Sequence, residues 1–192
     1  MSIKYVILGY LGWQPMTGYD VKKLIADAET LPWTANNNQI YRALVDLHQD
    51  GWVDKQIEEG VGSPNRHVYS ITDAGRAALK RWVQSEPELP EMRKPFLHQL
   101  MWADSLAVAE LDELLDRYRT ALNEKLFMIR VQADEKPDMP GRTPREAFLW
   151  ERIYQNWIEQ YELELRWVRQ LRDDLGALET ARQRELARQR RS

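Results

Sequence analysis

The 192-residue chain contains no cysteine and only three histidines. The first absence excludes a disulfide framework and any thiolate metal site. The three histidines, His48, His67 and His98, are dispersed and form no HExxH pair, so a helix-borne zinc site is excluded too. No GxSxG elbow is present, and Gly60-Val61-Gly62-Ser63-Pro64-Asn65 fails as a dinucleotide loop, because Asn65 stands where the third glycine belongs and no helix follows. There is no run of about 18 apolar residues to cross a bilayer. The N-terminus lacks the charged, apolar and small-residue succession of a signal peptide. The expectation is a cytoplasmic protein without enzyme activity, metal, cofactor or membrane association.

A surplus of one charge is also missing. Lys and Arg number 27 against 30 Asp and Glu, a net charge of −3. Residues 1–85 balance nine against nine, residues 86–165 carry ten basic against seventeen acidic, and residues 166–192 carry eight against four. A nucleic-acid binder normally shows a basic balance. Here the distribution must supply it, with Lys4, Lys22, Lys23, Arg42, Arg66 and His67 on one side and Asp46, Asp50, Asp54, Glu58 and Glu59 elsewhere.

Residues 34–76 are the most informative stretch. Ile40, Leu44 and Leu47 recur at the 4 and 3 spacing that stacks apolar side chains on one helix face, while Asn38, Arg42 and Gln49 fall opposite. Gly51 ends that helix. Trp52 to Glu58 and Arg66 to Ile71 then read as two strands joined through Gly60, Gly62, Pro64 and Asn65. Upstream, the apolar run Ile3, Val6, Ile7, Leu8, Leu11 predicts a first helix. Thr17-Gly18-Tyr19-Asp20 has the form of a capping box opening a second, whose buried side is Val21, Leu24, Ile25 and Ala28. After a turn through Leu31-Pro32-Trp33, the third helix takes the recognition place of a helix-turn-helix, followed by a two-stranded wing. Asn and Gln pair bidentately with adenine, and Arg with guanine, in the major groove. The expected DNA contacts are Tyr19, Lys22, Asn37, Asn38, Gln39, Tyr41 and Arg42, with Arg66 and His67 on the wing.

The segments Ile7-Leu8-Gly9-Tyr10-Leu11, Met16-Thr17-Gly18-Tyr19-Asp20, Gln39-Ile40-Tyr41-Arg42-Ala43-Leu44, Gly51-Trp52-Val53 and Tyr69-Ser70-Ile71-Thr72-Asp73-Ala74-Gly75-Arg76 follow in order. With them the chain resembles the PadR family of bacterial transcriptional regulators, over most of residues 3–82. The likeness continues more loosely through Arg93-Lys94-Pro95-Phe96-Leu97, and the long C-terminal helices look like the longer-tailed branch that includes virulence-gene activators. The resemblance implies a homodimer on a pseudo-palindromic operator in double-stranded DNA, acting as a repressor of neighbouring genes. It also implies an aromatic or phenolic small-molecule effector.

The fold class expected is mainly α (α+β), a winged helix-turn-helix over residues 1–84 followed by an antiparallel helical dimerisation region over 85–192. Ser85-Glu86-Pro87-Glu88-Leu89-Pro90 reads as a linker. A short helix within 93–104 and a long one over about 107–134 follow. Lys136 to Gly141 breaks the second, and Thr143-Pro144 starts a last long helix. That helix carries Tyr154, Trp157, Tyr161, Val168, Leu171, Leu175 and Leu178 in a heptad-like stripe broken by Glu164 and widened by Ile153, Ile158, Leu165 and Trp167, too broad for one partner helix, which predicts a dimer interface. Glu110, Asp112, Glu113 and Asp116 read as a solvated face, and Arg182 to Arg191 as a frayed helix end.

Eight tryptophans raise a ligand-binding reading beside plain packing. Trp102, Trp150, Trp157 and Trp167 are the expected walls of an effector site, with Arg93 or Arg152 to pair a carboxylate. An aromatic stripe at helical spacing is more often core. A reading from another class, a winged-helix module that docks proteins without reading DNA, draws on the neutral charge of residues 1–85.

Overall fold

The structure is a computed structural model that describes residues 3–27, 37–58, 66–89, 94–135 and 143–189. The expected turn at Leu31-Pro32-Trp33, the loop from Gly60 to Asn65, Arg93, the break from Lys136 to Gly141 and Arg190 and Arg191 lie outside the described residues, as does the side chain of Asn37.

The described residues fall into two compact units. The first holds those up to Leu89 together with 143–149, and the second holds 94–135 and 150–189. This division differs from the expected single cut after residue 84. The reason is visible at Trp13, whose indole nitrogen donates to Glu146 across 2.5 Å and ties the start of the last helix to the first unit.

In the first unit, helices α1 (Ile3–Leu11), α2 (Gly18–Asp27) and α3 (Asn37–Gln49) precede a hairpin of β2 (Val53–Glu58) and β3 (Arg66–Ile71), and α4 (Asp73–Val83) closes it. The hairpin is antiparallel, with Val53 opposite Ile71 and Glu58 opposite Arg66. A two-residue strand, β1 (Met16–Thr17), adds to the free edge of β3 and makes the sheet order β1-β3-β2. The capping box and β1 share Thr17. Its hydroxyl donates to Asp20 Oδ2 at 2.7 Å, the same oxygen accepts from the Thr17 amide at 3.1 Å, and the Asp20 amide donates back to the hydroxyl at 3.2 Å. Helix α3 ends in a Schellman motif: Gly51 takes φ 70°, the Trp52 amide reaches the Leu47 carbonyl at 2.9 Å, and the Gly51 amide reaches His48 at 3.1 Å. A side chain at a left-handed residue would add strain, so glycine here sets where α3 stops.

Ile7, Leu8, Val21, Ile40, Leu44, Leu47 and Val53 are all but inaccessible and form the centre of this unit. Ile40, Leu44 and Leu47 are the residues at the predicted 4 and 3 spacing, and all seven turn inward because burying each one is worth roughly 1.5–3 kcal/mol.

The second unit is all helical: α5 (Pro95–Met101), a 3₁₀ turn (Ala103–Ser105), α6 (Val108–Glu135) and the part of α7 (Pro144–Gln189) beyond residue 149. Phe96, Leu115, Leu122 and Val168 are its buried centre, with Tyr118, Tyr161, Leu165, Leu171 and Leu175 packed against them. Helix α7 runs through Arg182, Arg184 and Arg188, the region expected to fray.

Glu164, expected as a break in the apolar stripe, is an organising residue of this unit. It pairs with Lys94 and accepts a 3.0 Å hydrogen bond from the Tyr118 hydroxyl, beneath a Phe96–Tyr118 ring stack with centroids 3.6 Å apart. Burial, then the hydrogen bond and negative charge of Glu164, push the Tyr118 hydroxyl above its ordinary value of 10.0. A group whose pKa is raised on folding contributes stability below its unfolded pKa and loses it as pH rises through the folded one. Urea midpoints of the protein are therefore expected to fall more steeply above about pH 10 than those of Tyr118→Phe. Parallel slopes for the two proteins would contradict this account.

Candidate nucleic-acid interface

Helix α3 lies with Ile40, Ala43, Leu44 and Leu47 buried, so the other face is open. Asn38, Gln39, Tyr41, Arg42 and Gln49 are all exposed on it. Tyr19 is exposed on α2, Lys22 is half-buried, and Lys23 is exposed. Across the sheet, Arg66 and His67 at the outer end of β3 are exposed, facing Glu58 and Ile57 in the ladder. Every described residue of the expected DNA set thus reaches solvent, and all belong to the first unit.

Lys4 departs from the expected basic cluster. Its ammonium sits 3.0 Å from Asp50 and 3.6 Å from Asp46, an α1–α3 bridge that holds its pKa up, chiefly through the hydrogen bond to Asp50. A lysine so engaged fastens two helices and is not free to meet a phosphate. The bridge occupies Asp46 and Asp50 near the C-terminal end of α3, away from the N-terminal turns that carry Asn38 and Arg42.

Sequence reasoning passed over Val45. It is 50 % exposed on the open side of α3. The signal was there, since Val45 follows Asn38 by seven positions and Arg42 by three, both same-face intervals.

The residues expected to wall an effector site are not gathered together. Trp102 ends α5 and is 78 % exposed. Trp150 and Trp157 are half-buried on α7, with Trp150 and Tyr154 rings 6.2 Å apart, and Arg152 pairs with its neighbour Glu151 at 2.7 Å. The second unit does hold a cavity of about 990 Å³, lined by Leu100, Leu111, Leu115, Leu171, Arg172 and Leu175 among others. None of Trp102, Trp150, Arg152 and Trp157 is on its wall. Arg172 is held there by Asp112 at 2.8 Å and Asp116 at 3.3 Å, so two acids read as a solvated face are ion-pair partners.

Of the expected interface residues, Val168 is only 2 % exposed within its own chain, and Tyr154, Trp157, Tyr161, Leu171 and Leu175 are half-buried. A second stripe remains open beside them on α7: Ile153 at 44 %, Trp167 at 38 % and Leu178 at 62 % exposed. At about 100° per residue these three fall within roughly 40° of one another, flanking the stripe of Tyr161, Val168 and Leu175.

Two family models match the chain, one described as "Transcriptional regulator PadR-like family" over residues 7–81 and one as "Virulence activator alpha C-term" over residues 92–176. Residues 7–81 are thus similar to the PadR-like family, and residues 92–176 to the C-terminal region of virulence activators. It is 36% identical over 90 residues to the "Probable transcriptional regulator Rv1176c" of Mycobacterium tuberculosis, 47% of each chain. It is 26% identical over 113 residues to the "Negative transcriptional regulator PadR" of Bacillus subtilis, 58% of this chain and 62% of that one. The matched stretch thus spans about half to three-fifths of these curated relatives. Among solved structures, Bacillus subtilis PadR in complex with operator DNA superimposes with a TM-score of 0.75 at 20% identity, covering 89% of this chain and 96% of that one. The same protein in complex with p-coumaric acid gives 0.69 at 21%, with 88% and 92% covered. The Vibrio cholerae virulence activator AphA gives 0.64 at 24%, with 92% and 99% covered. At such identities the superpositions speak to the fold, and they agree with the winged helix-turn-helix and C-terminal helices read from the sequence. The match of residues 7–81 to a family of transcriptional regulators also agrees with the expectation that this is not an enzyme. Among the described residues, no helix is long and apolar enough to cross a membrane.

Proposed function

We propose that the protein is a DNA-binding transcriptional repressor that sets α3 into the major groove of each half of a pseudo-palindromic operator, as a homodimer paired through α7. The observation that carries this reading is the open face of α3, where Asn38, Gln39, Tyr41 and Arg42 stand exposed opposite a fully buried apolar stripe. Amides and a guanidinium on such a face match base edges. Arg66 and His67 are assigned to phosphate on the wing side, where contacts position the protein without reading sequence. The second open stripe on α7, Ile153, Trp167 and Leu178, supports pairing with a second copy, because large apolar groups left in water seek a partner. Repression follows the name of the Bacillus subtilis relative. A phenolic acid is the effector class to test first, on the p-coumaric acid complex of that same relative.

The experiment is operator binding by fluorescence anisotropy, using duplex selected from a randomised pool by the full-length protein. Arg42→Ala is expected to lower affinity for the selected sequence by about 1–3 kcal/mol, with little change on unrelated DNA. Arg66→Ala should weaken all sequences alike and flatten the salt dependence by about one unit of slope. Unchanged operator binding by both Asn38→Ala and Arg42→Ala would remove α3 from the recognition role. A pool that yields no preferred sequence at all would favour the interaction-module reading.

A further inference from the structure

The open face of α3 has an apolar centre. At about 100° per residue, Val45 lies roughly 20° from Asn38, 40° from Gln49 and 60° from Arg42, almost opposite the buried stripe of Ile40, Ala43, Leu44 and Leu47. Each of those three neighbours is exposed and carries hydrogen-bonding groups, while Val45 offers only two methyls, half of its surface in solvent. Folding gives little account of it. A β-branched residue is a poorer helix former than the Lys, Gln or Glu that would suit an open position, and here it fills no core. Its stiff χ1 holds the two methyls in one place, so they form a small preset apolar spot within a polar surface.

Base edges in the major groove present donors and acceptors, and one apolar group, the thymine 5-methyl. We propose that Val45 reads the 5-methyl group of one thymine in each half-site and thereby sets part of the sequence preference. The inference rests on the DNA-binding reading above and adds to it a residue that recognises by shape and apolar contact where Asn38 and Arg42 recognise by hydrogen bonds.

The test replaces each thymine of the selected operator in turn by deoxyuridine, which removes the methyl and leaves the Watson–Crick pairing intact, and measures binding by the full-length protein. One position per half-site should lower affinity about fourfold, the worth of one buried methyl, and the symmetric double replacement about 14-fold. Val45→Ala should bind the thymine and deoxyuridine operators equally at that position. Arg42→Ala, although weaker overall, should keep the methyl discrimination. Equal thermal midpoints for Val45→Ala and the unaltered protein would establish that the variant is folded. If the protein binds its operator but no thymine shows methyl sensitivity, or if Val45→Ala keeps the full sensitivity, the proposal is overturned while DNA binding through α3 stands. If no preferred sequence emerges from the pool, the DNA-binding reading fails and this proposal falls with it.

Discussion

An Ile153→Glu, Leu178→Glu double variant is expected to sediment as a monomer at micromolar concentration and to bind operator about 10²- to 10⁴-fold more weakly than the unaltered protein. Both side chains are well exposed in the isolated chain, at 44 % and 62 %, so the substitutions leave the intrachain core around Val168 untouched. In a paired α7 the same glutamates would have to be desolvated against apolar groups, and a buried unpaired carboxylate costs several kcal/mol. The loss of DNA affinity follows because two half-sites held together act as one site of high effective concentration, and a monomer forfeits that gain. The fold of the variant is checked by an unchanged helical signal in circular dichroism. A variant that remains dimeric, or an unaltered protein that is already monomeric, would place the open stripe outside the assembly and remove pairing through α7 from the mechanism.

Gly75→Ala should be among the most damaging single substitutions in the first unit. A Cβ at this position would lie 2.1 Å from the Trp52 carbonyl oxygen and 2.9 Å from Ile71 Cγ1. The carbonyl cannot retreat easily. It accepts the Thr72 amide at 3.0 Å, while the Thr72 hydroxyl donates to Gly51 at 2.8 Å and accepts the Gly75 amide at 3.1 Å. These bonds dock the start of α4 on the turn between the recognition helix and the wing. Helix propensity alone predicts that alanine in place of glycine should gain about 1 kcal/mol. Backbone overlap reverses the sign, and the expected net loss is about 3 kcal/mol or more, a large share of the stability of an ordinary domain. Thermal unfolding of the full-length variant checks this, and an unchanged or higher midpoint would show that α4 can shift at little cost.

Much of the first unit was legible because its helices obey the simplest rule, apolar residues on one face. Ile40, Leu44 and Leu47 announced α3, the Thr17–Asp20 box announced α2, and Gly51 announced the stop. The two-residue strand β1 was not legible, since its pairing with Tyr69 and Val68 depends on a partner some fifty residues away. Lys4 illustrates the limit for charges. Its neighbours Asp46 and Asp50 are distant in sequence, so composition counted it as free when the fold spends it on an ion pair. The open face of α3 was legible as a complement, whatever the buried stripe left over. Val45 was not legible beyond its place on that face, because a lone apolar residue among hydrogen-bonding groups carries no pattern of its own. The effector set had no such guide, since helical spacing says which tryptophans share a side of one helix and nothing of whether separate helices bring them around one space.

Glu164 carries a further consequence. Apolar stripes are slippery: leucine and valine gain nearly as much one turn up or down, since the hydrophobic effect has no direction. If α7 slid by one turn against α6, the residue meeting the Tyr118 hydroxyl would be Gln160 or Val168. The first would leave Lys94 without its carboxylate, and the second would leave the half-buried Tyr118 phenol without its acceptor. Glu164, with the Arg172 pairs to Asp112 and Asp116 across the same two helices, thus works as a detent, admitting one axial setting and rejecting those above and below. Because Ile153, Trp167 and Leu178 ride on the same helix, the detent also fixes the height at which that stripe is offered, so that the proposed second copy would meet one surface in place of a family of shifted ones.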